Sequence, residues 1–123
     1  QAKYNQSPDG PGIYNQYDAV MALGLAMNIA PDLSGTAIRD AIRKIQEPNG
    51  TVVGTGPDEF KKAIALIKEG KPIRYVGATG PVEFDANGDV GGAALVWKVS
   101  GDNLAVDRTL TVEDMNALFK KID

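Results

Sequence analysis

From Ile13 to Ala30 the apolar residues cover most of a helical circumference. After Asp18 they run Ala19, Val20, Met21, Ala22, Leu23, then Leu25, Ala26, Met27 and Ile29. A helix apolar on nearly every side is one that neighbours cover, yet the rest of the chain offers few elements to cover it. Pro31 stops this helix. Ala37, Ile38, Ala41, Ile42 and Ile45 then repeat at the three-four spacing of a single stripe, which predicts a second helix. Ser34 or Thr36 is placed to cap it, and "EPNG", Glu47 to Gly50, ends it. Thr51 to Val53 reads as a short extended run. In "GTGPDEF", Pro57 suits a first helical turn, and Asp58 and Glu59 suit its positive end. Phe60, Ala63, Ile64 and Ile67 form the stripe of this third helix, and Gly70 ends it.

Beyond Gly70 the period changes to two or to short apolar runs, the signature of strands. Strands are predicted at Ile73 to Val76, Pro81 to Phe84 and Gly92 to Val99, and after the turn "SGDN" at Leu104 to Leu110. Thr111 caps a last helix with Glu113 and Asp114 in its first turn and Val112, Met115, Leu118, Phe119 and Ile122 as its stripe. The opening "QAKYNQSPDGPG", broken by Pro8, Gly10, Pro11 and Gly12, reads as a loop. The order of elements is that of an α/β or α+β chain. It lacks the regular alternation that builds a complete parallel sheet.

Composition narrows the function classes. The chain has 123 residues, 43% hydrophobic and 24% charged, with a net charge of −3, which is a globular composition of one-domain size. The acidic excess argues against a nucleic-acid partner. There is no histidine and no cysteine, which removes the commonest general base, the commonest metal ligand, disulfides and thiol nucleophiles together. No stretch of 18 apolar residues is present to span a membrane. The first residues show neither an initiator Met nor a signal-peptide pattern, so the chain is expected to follow processing or to be part of a longer protein.

The stretch "GPVEFDANGDVGG", Gly80 to Gly92, carries acids or amides at Asp85, Asn87 and Asp89, the ligand spacing that opens a calcium loop. Val90 stands where that loop needs glycine, and Val96 where it needs glutamate. Asn87-Gly88 instead predicts a type I′ hairpin turn. "GTGPDE" and "GATG" lack the complete phosphate-loop patterns. Ser7, Ser34 and Ser100 have no histidine to activate them, and no catalytic role, cofactor or metal is expected. Tyr14 and Tyr17, with Asn15 and Gln16 between them, open the first helix. Tyrosines there offer a flat face and a hydroxyl to a pocket, and packing in the core is the equal alternative.

Taken together, "YNQYDAVMALGLAMNIA", "SGTAIRDAIRKI" and above all "GKPIRYVGATGPVEFDANGDVGGAALVWKV" resemble the carboxy-terminal portion of a known family. It is the periplasmic substrate-binding proteins of ABC transporters, of the branched-chain amino acid (leucine/isoleucine/valine-binding, type I) kind. The resemblance covers essentially all of residues 1–123, with no internal boundary assigned. It implies an α/β fold that is a fragment of two Rossmann-like lobes and contains parts of both. It implies binding of a small solute, an amino acid or a related organic acid or amide, between lobes. The periplasm and a membrane permease as docking partner are implied with it. Tyr14, Asn15 and Tyr17 are the ligand-binding positions it points to. A greasy helix and unpaired strands are expected to seek other chains, so the fragment alone is expected to be oligomeric or paired with the remainder of the protein. A sensor or regulator on the same fold is the second reading, and a calcium-binding structural module around Asp85 the third.

Overall fold

Helix α1, Ile13–Ile29, is laid down by the apolar run and ends where Ala30 turns extended ahead of Pro31. The computed structural model of the protein describes residues 12–119. The predicted opening loop and the Ile122 position of the last stripe therefore lie outside the described residues. The chain divides into two compact units on either side of the Glu83–Phe84 junction.

In the first unit, α1 is followed by α2, Gly35–Ile42, which continues into one turn of 3-10 helix at Arg43–Ile45. Ser34 is its cap: its hydroxyl oxygen accepts the Ala37 N–H at 3.3 Å. Strand β1, Thr51–Val53, helix α3, Pro57–Lys68, and strand β2, Ile73–Gly77, form a parallel β-α-β unit in the register Thr51↔Ile73 to Val53↔Tyr75. Strand β3 then pairs antiparallel with β2. It is shorter than the predicted Pro81–Phe84 run and occupies Gly80–Pro81 alone. The chain has already left the sheet at Glu83, whose carboxylate pairs with Arg74 at 2.6 Å.

The core of this unit lies between the helices and the β1-β2-β3 sheet. Leu25, Ile45, Val53, Ile73 and Tyr75 are its largest fully buried side chains. Helix α1 contributes mostly small residues there, Ala22 and Ala26 beside Leu25, so α2 and α3 approach its backbone closely. Several of its other apolar residues are uncovered: Val20 is 71% exposed and Leu23 46%, while Met21 and Ile29 are half-buried. Among the described residues, nothing covers Val20 and Leu23 as fully as Ala22, Leu25 and Ala26 are covered.

The second unit begins with a loop and continues into strands β4, Ala94–Ser100, and β5, Asn103–Leu110, an antiparallel hairpin with a bulge between Val96 and Trp97. Helix α4, Val112–Phe119, packs on β5. Thr111 and Asp114 cap it reciprocally: the Asp114 N–H donates to the Thr111 hydroxyl at 3.1 Å, and the Thr111 N–H to the Asp114 carboxylate at 2.9 Å. One face of the hairpin exposes Leu95, Trp97, Val99, Leu104 and Val106.

The Asp85 loop corrects one expectation. Its turn is centred on Ala86-Asn87, not on Asn87-Gly88, because the Gly88 N–H donates to the Asp85 carbonyl at 3.2 Å. Gly88 follows in the left-handed region at φ 95°. The Asp85 N–H donates to the Asp89 carbonyl at 2.9 Å, and the bridge Phe84↔Val90 closes the ends. This is a three-residue loop with a glycine bulge. The Asp85 carboxylate oxygen Oδ1 accepts the Asn87 and Asp89 N–H groups at 2.8 and 2.9 Å. Its proximal acid thus shapes the loop from inside, which displaces the two-residue turn by one position.

Candidate functional site

In an open α/β sheet, loops at the carboxyl ends of parallel strands are free to converge on a ligand. The β1–β2 pair has two such loops. Gly54-Thr55-Gly56 leads from β1 into α3, and Gly77-Ala78-Thr79 leaves β2. The head of α1 meets both. The Tyr17 hydroxyl oxygen accepts the Gly56 N–H at 2.8 Å, and the next residue, Asp18, reaches the β2 loop.

Asp18 is the anchor of this end. It is the one buried charged residue among those described, only 4% exposed. Its oxygen Oδ1 accepts the Tyr75 hydroxyl at 2.9 Å and the Ala78 N–H at 2.8 Å. Its oxygen Oδ2 accepts the Thr79 N–H at 2.8 Å and the Thr79 hydroxyl at 2.6 Å. Four donors around one carboxylate satisfy a charge that burial alone would disfavour. Burial raises the Asp18 carboxyl, but the bonds from Thr79, Ala78 and Tyr75 outweigh it and hold the group below the ordinary aspartate value of 3.8. Tyr75 is pushed the other way: burial first, then the hydrogen bond and charge of Asp18, raise its hydroxyl well above the ordinary tyrosine value. Gly77 completes the fit, since a Cβ there would run into the Asp18 carboxylate.

The β1 loop is held separately. The Glu59 carboxylate reaches back from the first turn of α3 to accept the Gly54 N–H at 2.9 Å, and Lys62 pairs with it at 3.1 Å. The Gly54 amide first, and Lys62 next, lower the Glu59 carboxyl.

Of the expected ligand positions, Tyr14 and Tyr17 stand three residues apart near the start of α1 and are 42% and 37% exposed. Helical spacing puts them on one side, whereas Asn15 is turned about 200° from Tyr17. Asn15 is exposed, but it is not brought together with the Tyr17 hydroxyl. Asp18, Tyr75 and Thr79 were not foreseen as partners. The available signal was a lone acid at the edge of an otherwise apolar helix. A groove of about 370 Å³ opens elsewhere, at the amino end of β2 between Asn28, Lys44, Glu47, Ile67 and Lys71. Among the described residues, no three acidic side chains gather closely enough to hold a metal ion.

The site offers hydroxyls and aromatic faces on loops whose amides are held internally by Glu59, Tyr17 and Asp18, which suits binding of a polar small molecule. No curated protein and no solved structure matches the chain. A family model does, over residues 1–102, and its description is the receptor family ligand binding region. This mixed α/β chain, with its carboxyl-end loops locked to the head of α1, therefore belongs to the receptor family ligand binding region, of the type I periplasmic-binding-protein-like superfamily.

Proposed function

We propose that the protein is an extracytoplasmic solute-binding component of an ABC importer, of the branched-chain amino acid type. Its solute is an amino acid or a related organic acid or amide. The observation that carries this reading is the junction of "YDAV" with "YVGATG", in which Asp18 of the first holds Tyr75, Ala78 and Thr79 of the second. That junction presents Tyr14 and Tyr17 at the carboxyl end of the parallel strand pair. Tyr14 and Tyr17 contact the solute, while Asn15 lies on the far side of α1 from Tyr17. The protein acts without catalysis: the solute bridges two lobes, shifts the open–closed equilibrium, and the closed form docks on a permease. The exposed apolar faces of α1 and of the β4–β5 hairpin support pairing with further protein, either other copies or the rest of a two-lobed receptor.

Titration calorimetry with aliphatic amino acids, their amides and aromatic acids tests the reading. It expects saturable binding of at least one class, weakened in Y17F. Failure of every class to bind overturns it. A second reading, a ligand-sensing receptor, is favoured by the description of the matched family as a receptor region. Solute-dependent stimulation of a reconstituted permease ATPase separates the two, since a sensor leaves that ATPase unchanged.

A further inference from the structure

The hydrogen atoms of two hydroxyls at the carboxyl end are fixed in opposite senses by the backbone and by Asp18. A backbone N–H can only donate, so the Tyr17 oxygen is the acceptor of the Gly56 bond at 2.8 Å. Its own hydrogen is left to point elsewhere. An ionised carboxylate can only accept, so the Thr79 hydroxyl is the donor of the 2.6 Å bond to Asp18 Oδ2. Its hydrogen is committed, and its lone pairs remain. Tyr17 is 37% exposed and Thr79 is exposed, and each hydroxyl is tied to the carboxyl end of the strand pair, Tyr17 through Gly56 and Thr79 through Asp18.

We propose that Tyr17 and Thr79 are a polarity-sorted recognition pair, in which Tyr17 donates to an acceptor group of the solute and Thr79 accepts from a donor group. The inference rests on the reading of this end as the solute site and deepens it, because it names which hydroxyl reads which part. A solute with both a carboxylate and an ammonium or amide N–H satisfies both. A solute lacking either leaves one hydroxyl of the pair without its match. Asp18 acts through Thr79 and is a positioning residue.

Calorimetry on the whole chain with three probes tests the pair: L-leucine, 4-methylpentanoic acid, which lacks the amine, and 3-methylbutylamine, which lacks the carboxylate. T79V is expected to weaken L-leucine about tenfold while leaving 4-methylpentanoic acid within about twofold, and T79S to restore L-leucine. Y17F is expected to weaken L-leucine about tenfold while leaving 3-methylbutylamine within about twofold. Equal weakening of all three probes in either variant marks a merely structural role and overturns the pair. So does unchanged L-leucine affinity. Where L-leucine binds but neither analogue is measurable, the contrast between T79S and T79V decides: restoration supports the pair and its failure overturns it. Absence of binding by the wild-type chain overturns the reading of the site itself, a result distinct from the others.

Discussion

Replacing Asp18 by alanine removes the acceptor of four hydrogen bonds at once, and the partners differ in what happens next. Ala78 and Thr79 belong to exposed residues, so water takes over their donors at modest cost. Tyr75 is 1% exposed, and its hydroxyl has no such recourse. An unsatisfied buried donor costs about 1–3 kcal/mol, and hydrogen bonds to a charged group are each worth about 1.5–3 kcal/mol net. With the turn bonds discounted for re-solvation, Asp18→Ala is expected to cost about 2–4 kcal/mol, most of it from the stranded Tyr75 donor and the lost charge-assisted bonds. Asp18→Asn keeps Oδ1 for Tyr75 and Ala78 but sets an NH₂ against the Thr79 N–H. One donor is lost, for about 1–3 kcal/mol. Tyr75→Phe leaves the carboxylate with three donors and is expected to cost about 1–2 kcal/mol.

The decisive quantity is the double variant Asp18→Ala/Tyr75→Phe. With no hydroxyl left to be stranded, it is expected to be less destabilised than the sum of the single variants, by about 1–2 kcal/mol of coupling. Urea unfolding followed by far-UV circular dichroism gives the free energies. Amide exchange at Ala78 and Thr79 reports the same junction locally and does not depend on the second unit. Additivity of the two substitutions, or a cost of Asp18→Ala below about 1 kcal/mol, refutes the reasoning.

Further outcomes follow from the same geometry. Because the folded state depresses the Asp18 carboxyl below 3.8, the unfolded chain takes up that proton first. Its stabilisation is present above the ordinary aspartate range and lost as pH falls through and below it. Urea midpoints measured from pH 6 down to about pH 3 should therefore fall less steeply in Asp18→Asn than in the wild type. Tyr75 carries the opposite dependence. Its raised value keeps the hydroxyl protonated in the fold, so stability is lost above the ordinary tyrosine range, and tyrosinate absorbance should match between wild type and Tyr75→Phe before unfolding and show one group fewer in Tyr75→Phe only after it. Gly77→Ala drives a Cβ into the Asp18 carboxylate and is expected to cost about 1–3 kcal/mol as an overpacked site, seen as faster exchange of the Thr79 amide. Gly88→Ala forces a side chain to φ 95° and is expected to lower stability by about 1–2 kcal/mol in thermal unfolding, with its chemical-shift changes confined to the Asp85 loop.

The helices were legible because their causes are local. The α2 stripe, the Ser34 cap, Pro57 in the first turn of α3 and Thr111 before α4 are all written within four or five residues of where they act. The hairpin turn at Gly101-Asp102 was legible for the same reason. What misled was again local: Asn87-Gly88 carries the strongest two-residue turn signal, but the Asp85 carboxylate gathers the Asn87 and Asp89 amides and moves the turn back by one residue. The predicted strand through Phe84 failed because Gly80–Pro81 pairs and the chain then departs toward the second unit.

The site was the least legible part because it is made across distance. Asp18 and Thr79 are separated by 61 positions, and no periodicity connects them. Only the resemblance placed "YDAV" and "YVGATG" side by side as markers, and it gave no reason for their travelling together. The geometry supplies one. A carboxylate on an apolar helix needs donors, the turn after β2 has amides and a hydroxyl to give, and Gly77 leaves the room that lets them meet. Neither segment is satisfied without the other, since the helix would bury an unpaired charge and the turn would lose its acceptor. The same contact fixes the Thr79 hydroxyl as an acceptor toward solvent and sets Tyr17, one residue before Asp18, against Gly56. A constraint that began as the satisfaction of one buried acid thereby orients the two hydroxyls proposed to read a solute.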